Sequence, residues 1–270
     1  MARVCLFFFL MLEGSCCFCQ YYSYNPADSL IKYSYFLQGY IDSTTSVTQG
    51  TGFFINNNGE NLLVTAKHVL SGCRFNGSKD RNLPDEMLLY YNEDDPLRFR
   101  SFALKIKEIK DTAACLQYYL SPDVIAYPVN DTAEKEVNSI NSFLSSYLPS
   151  HKGKIVVFGY PSYNNMDSGQ YFVRGAMKLE ILNYKLFENY NYTDHAGSSI
   201  TDTINYTLKP ADTMIPSHLK GYSGSPVFIW DYAKEKWFFL GVIIAIDDKN
   251  NLLTIVKPKN LFEKISYRLN

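Results

Sequence analysis

At 270 residues the chain is long enough for one large all-β unit or two small domains, and its 46% hydrophobic residues can fill their cores. A formal net charge of −1, with no local basic cluster, supplies no field for drawing in nucleic acid, which is not expected as a partner. The 22 tyrosines and 18 phenylalanines favour half-buried strands, and the composition fits neither disorder nor collagen-like repetition.

The N-terminus reads as an export address: Met1-Ala2-Arg3 carries one positive charge, Val4 to Leu12 is a short apolar core, and Gly14-Ser15-Cys16 opens a small-residue region. A signal peptide over residues 1–19 is expected, cut between Cys16 and Gln20, with a buried first strand as the competing reading. The apolar core is too short to span a bilayer, so no transmembrane span is expected. The cluster Cys16-Cys17-Phe18-Cys19 permits a lipid-anchored cysteine, although Glu13 departs from the usual bacterial lipobox. The address implies a secreted or periplasmic protein. Removing it leaves Cys73 and Cys115 of six cysteines, either as a disulfide or as two buried thiols.

Short apolar or alternating runs follow at Lys32 to Tyr40, Gly52 to Ile55, Asn61 to Thr65, Phe102 to Ile106 and Lys154 to Phe158. Loops rich in Asn, Asp, Gly and Pro separate them, as at Asn56 to Glu60 and Asn92 to Pro96. This pattern predicts antiparallel sandwiches or barrels rather than alternating βαβ units. The polar stretch Asn130 to Ser150 is the best linker candidate. Near the end, Asn260 can cap a helix with Glu263 three residues on, and Leu261, Phe262, Ile265 and Leu269 share one face that would pack. Four sequons begin at Asn76, Asn130, Asn191 and Asn205, and chance explains most of them in so Asn-, Ser- and Thr-rich a chain. Scattered histidines and the lack of a Cys-x-x-Cys give no reason to expect a metal.

The chemistry-bearing segment is Gly221-Tyr222-Ser223-Gly224-Ser225-Pro226, just before the apolar Val227-Phe228-Ile229-Trp230. It predicts a tight turn that exposes one hydroxyl while nearby backbone N–H groups converge on a developing oxyanion. Alone it is more readily read as an ordinary turn. A base and an orienting acid change that reading. His68 follows the strand-like Leu62-Leu63-Val64-Thr65-Ala66, and Asp123 immediately precedes Val124-Ile125-Ala126. Each alone is as well explained by structure as by catalysis. Together they stand in the order His68, Asp123, Ser223, separated by about 55 and about 100 residues, the chain order of a chymotrypsin-type triad. An α/β-hydrolase elbow fails because Ser225 occupies its final glycine position. Ser217-His218-Leu219-Lys220 matches a Ser-x-x-Lys motif, but neither Ser-Asp-Asn nor Lys-Thr-Gly accompanies it.

Thr65-Ala66-Lys67-His68, Asp123-Val124-Ile125-Ala126 and the serine hexapeptide resemble the three motifs of the trypsin-like serine peptidases. Gly50-Thr51-Gly52-Phe53-Phe54-Ile55, Val156 to Pro161 and Gly241-Val242-Ile243 extend the likeness over nearly the whole chain after the N-terminal segment. Ser225, in place of a second glycine, is similar to the bacterial secreted branch of glutamyl endopeptidase type. The resemblance implies an all-β fold of two antiparallel six-stranded β-barrels with a short C-terminal helix. Residues 28–135 would carry His68 and Asp123, and residues 150–270 would carry Ser223. It further implies a serine endopeptidase acting on protein or peptide substrates as a monomer without a cofactor, with the oxyanion held at Gly221 and Ser223. Tyr222 replaces the aspartate with which trypsins pair a newly cut N-terminus, so that activation is not implied. Ser217, with His218 and Ile244, falls at the substrate pocket. A neutral Ser217 does not support Lys or Arg preference, and the strand after the serine lacks the histidine of glutamyl endopeptidases. The competing function is a protease-like fold kept for binding or adhesion, which an intact triad disfavours.

Overall fold

The structure, a computed structural model, describes residues 27–41, 45–71, 86–92, 99–105, 123–129, 137–145, 153–160, 177–193, 197–211, 221–247 and 250–261. The expected signal segment 1–19, Cys73, Cys115, Ser217, His218 and the sequons at Asn76 and Asn130 lie outside these residues. Among the described residues no helix is long and apolar enough to cross a membrane.

β-Branched and aromatic residues dominate the apolar runs, and these form strands. Tyr35–Ile41 (β1), Thr45–Asn57 (β2), Glu60–Ala66 (β3), Glu86–Asn92 (β4), Phe99–Lys105 (β5) and Val124–Pro128 (β6) make one antiparallel sheet in the order β5-β4-β1-β2-β3-β6. The expected strand at Gly52 to Ile55 is only the middle of β2, which pairs with β1 and β3 on its two edges. Two-sided backbone pairing extends it into the Thr- and Ser-containing stretch that apolarity alone does not mark. A short helix, Lys67–Ser71 (α1), follows β3 directly.

The second sheet contains Ile155–Gly159 (β7), Met177–Ile181 (β8), Tyr184–Phe187 (β9), Asn205–Pro210 (β12), Pro226–Asp231 (β13), Lys236–Asp247 (β14) and Leu252–Val256 (β15). Its order is β8-β7-β13-β14-β15-β12-β9, and Tyr190–Thr193 (β10) pairs with Ser199–Asp202 (β11) as a separate ribbon between β9 and β12. The described strands thus form sheets of six and seven plus a ribbon, in place of six and six. The difference lies in β8, β9 and the ribbon, strands of only four or five residues: β8 alternates strictly from Met177 to Ile181 but is too short to stand out, and the ribbon is largely polar.

The near-continuous apolar runs of β7, β13 and β14 have a direct cause in packing: both of their faces are buried. Ile155, Val157, Val227, Ile229, Phe238 and Leu240 point into a core made by the second sheet alone. Their alternates Val156, Phe158, Phe228 and Phe239 join Tyr35, Phe53, Phe54, Leu63 and Val64 in a core shared with the first sheet. Phe53 and Phe239 meet at a ring-centroid distance of 5.4 Å. At about 1.5–3 kcal/mol per fully buried large apolar side chain, this shared core outweighs peripheral ion pairs such as Lys154–Glu180, each worth about 0–1 kcal/mol.

The linker candidate contributes to this core. A 3-10 turn at Ile140–Phe143 is capped by Ser139, whose hydroxyl accepts from the Asn141 N–H. Ile140 is fully buried, and Phe143 packs edge-on against Phe228. At the other end, the terminal helix begins earlier than the capping pattern predicts. Residues 258–261 are already helical, so Asn260 lies inside the first turn. Pro258 suits that first turn because its missing N–H has no helical partner there. Asn260 instead donates its side-chain amide to the Ile204 carbonyl.

Candidate active site

The register of the first sheet brings two of the candidate residues together. β3 ends with Ala66 opposite Val124, the first residue of β6. The residue after β3 and the residue before β6 therefore meet, and the Lys67 N–H donates to the Asp123 carbonyl at 3.1 Å. One step further, the His68 backbone N–H donates to Asp123 Oδ1 at 3.1 Å, and His68 Nδ1 hydrogen-bonds Asp123 Oδ2. The carboxylate is 2% exposed and the imidazole 26% exposed. A buried carboxylate held by two donors fixes the ring's tautomer and leaves Nε2 as the nitrogen able to accept a proton.

Ser223 comes from the second sheet, in the turn before β13. That turn is tied to β14, where Gly224 N–H donates to the Ile243 carbonyl at 2.7 Å and Ile243 N–H donates to the Ser225 carbonyl at 3.0 Å. A third bond, from Ser225 N–H to the Tyr222 carbonyl at 2.9 Å, closes the turn itself. Tyr222 is buried in the second sheet's own core, with its ring against Gly159. Ser225 is fully buried beside the same glycine, and its hydroxyl has no hydrogen-bond partner among the described residues.

The turn is pressed onto the strand that leads to His68. A Cβ on Gly224 would lie 2.0 Å from the Thr51 carbonyl oxygen, 2.3 Å from Thr65 Oγ1 and 2.9 Å from the Ala66 nitrogen. Gly224 also has φ +89°, a left-handed conformation costly to a side chain. Gly224→Ala should therefore destabilise the fold by about 3 kcal/mol or more, from backbone strain and overlap combined. Denaturant unfolding checks this, and a loss below about 1 kcal/mol would contradict so close an approach.

Thr51 is fully buried between these segments. Its N–H donates to the Ser223 carbonyl at 2.9 Å, and its carbonyl accepts from Thr65 Oγ1 at 2.6 Å. Its hydroxyl donates to the Gly221 carbonyl at 2.7 Å and accepts from Tyr160 N–H at 3.1 Å. Burial, with a smaller contribution from Tyr35, pushes the Tyr160 hydroxyl above its ordinary range, so it stays protonated as donor to the Ser34 carbonyl. Thr51, Thr65 and Tyr160 are the residues that the motif reading leaves without a role. Their signal is a hydroxyl at a position that strand periodicity assigns to the core.

Of the other expected site residues, Gly221 is half-buried with φ +106°. Ile244 is buried in the shared core together with Val69 of α1.

A family model described as immunoglobulin A1 protease matches residues 145–259, the part of the chain that carries the Ser223 turn. Comparison with curated proteins finds no match. Among solved structures, the active form of the Rv3671c protease from M. tuberculosis is 17% identical, with a TM-score of 0.50 over 90% of this chain and 83% of that one. This is a chymotrypsin-like protease fold. A catalytically active tobacco etch virus protease complexed with product is also similar, at 13% identity and a TM-score of 0.47, covering 90% of this chain and 81% of that one. Together with the chymotrypsin-like fold, the match in the second half supports peptidase activity.

Proposed function

We propose that the chain is a serine endopeptidase that hydrolyses peptide bonds through an acyl-enzyme, with Ser223 as nucleophile, His68 as general base and Asp123 as its orienting acid. The observation that carries the reading is the docking of the Ser223 turn onto the end of β3, next to an imidazole already fixed by a buried carboxylate. In the first half-reaction His68 Nε2 takes the Ser223 proton as Oγ attacks the carbonyl, then protonates the departing amine. The Gly221 and Ser223 N–H groups receive the oxyanion, where donors fixed in advance contribute most. Water then enters by the same steps and releases the acid.

The two halves, residues 28–135 with His68 and Asp123 and residues 150–270 with Ser223, form the two barrels whose junction holds the site. The N-terminal segment exports the chain, and Ser217, His218 and Ile244 line the pocket for the side chain before the cleaved bond. A fluorophosphonate probe tests the chemistry, because it phosphonylates an activated serine, with loss of fluoride, when the base and the oxyanion donors are in place. Wild type should label at a single residue, Ser223, found by peptide mass mapping. A folded wild type that stays unlabelled beside a reacting control peptidase would instead favour a binding protein.

A further inference from the structure

We propose that Thr51 is a positioning residue, whose hydroxyl sets the carbonyl orientation of the turn bearing Ser223 and thereby the distance between Ser223 and His68. The inference rests on the peptidase reading and adds to it a residue that touches neither substrate nor imidazole. A threonine hydroxyl has one donor and two acceptor sites. At Thr51 the donor is spent on the Gly221 carbonyl, and an acceptor site takes the N–H of Tyr160, which directly follows β7. The same residue's backbone bonds the Ser223 carbonyl and Thr65 Oγ1, the latter three residues before His68. Through its backbone and its hydroxyl together, this one buried residue connects the strand leading to His68, the turn at both Gly221 and Ser223, and the second sheet.

The need for such a contact follows from the glycine it holds. With φ +106° and no Cβ, Gly221 has little steric preference for one direction of its carbonyl. The peptide plane after it leads through Tyr222 to Ser223. The Ser223 carbonyl is held by a Thr51 backbone bond that any residue at 51 keeps, whereas the Gly221 carbonyl is held by a bond that only a hydroxyl can make. The preceding residue measures how near the strand runs to the turn: a Cβ on Gly50 would meet the Val69 side chain at 2.5 Å and the Ser223 carbonyl at 3.1 Å. The strand therefore lies close enough for a short side chain to span the gap.

The test compares Thr51→Val, which keeps the shape and removes the hydroxyl, with Thr51→Ala and Thr51→Ser, all assayed where circular dichroism shows them folded. A displacement of about 1 Å in a reacting group can cost about 100-fold, so Val and Ala should lower kcat by about 10- to 100-fold with KM within about threefold. Ser should stay within about threefold of wild type in both. Amide hydrogen exchange supplies a readout independent of turnover: in Thr51→Val, Gly224 and Ser225 should exchange faster while Val64 in β3 does not change. Equal kcat in Thr51→Val and wild type, failure of Ser to restore it, or unchanged exchange at Gly224 each overturns the proposal. Those results leave an active wild type standing. A folded wild type that neither turns over nor labels overturns the peptidase reading, and the positioning role with it.

Discussion

Ser223→Ala is expected to lower turnover of a peptide substrate by about 10⁴-fold or more, leaving only what oxyanion donors and substrate binding provide. Alanine supplies no atom to form the acyl-enzyme, so the loss should appear in kcat rather than KM. The fold should survive, because Ser223 contributes its carbonyl to the Thr51 N–H bond and alanine keeps that carbonyl. Stability within about 1 kcal/mol of wild type is therefore expected. Steady-state kinetics beside a thermal melt separates the two effects. Hydrolysis that persists at the wild-type rate in a folded Ser223→Ala variant would remove this serine from the mechanism.

The second large effect is at Asp123. One carboxylate oxygen accepts the His68 backbone N–H and the other meets Nδ1 of the ring, so the residue both anchors the start of α1 and chooses the tautomer. Asp123→Asn separates these tasks. The amide oxygen can keep the backbone bond, while the NH₂ faces Nδ1 and forces it to become an acceptor. The proton then sits on Nε2, the nitrogen that must receive the proton of Ser223. A loss of about 10⁴-fold in kcat is expected, with little change in melting temperature. A loss below about tenfold would mean that Asp123 is only an anchor for the helix start.

The site was legible in the sequence to the extent that it sits where strands end. His68 and Asp123 flank apolar runs, and β3 and β6 pair so that those ends coincide. The glycines around Ser223 similarly announced a close approach of backbone, which Gly224 makes against Thr51, Thr65 and Ala66. Less legible was anything set by partners distant in sequence. Nothing local to Thr51 reveals that its hydroxyl faces Gly221, 170 positions away. β9 and the β10–β11 ribbon are short and partly exposed, so alternation does not distinguish them from loop, and β8, though strictly alternating from Met177 to Ile181, spans only five residues. Ile140 and Phe143 lie in a stretch that reads as a polar spacer, and only the shared core shows why apolar residues stand there. The helix cap at Asn260 failed for a related reason: its side chain has a tertiary partner, Ile204, outside the reach of a local pattern.

The contact between Phe53 and Phe239 has a consequence for how the protein can fail. Phe53 in β2 and Phe239 in β14 belong to one interior shared by the two sheets, while the second sheet also keeps a core of its own. Damage to the shared interior reaches both sheets at once, and activity should be lost before the second sheet's own core melts.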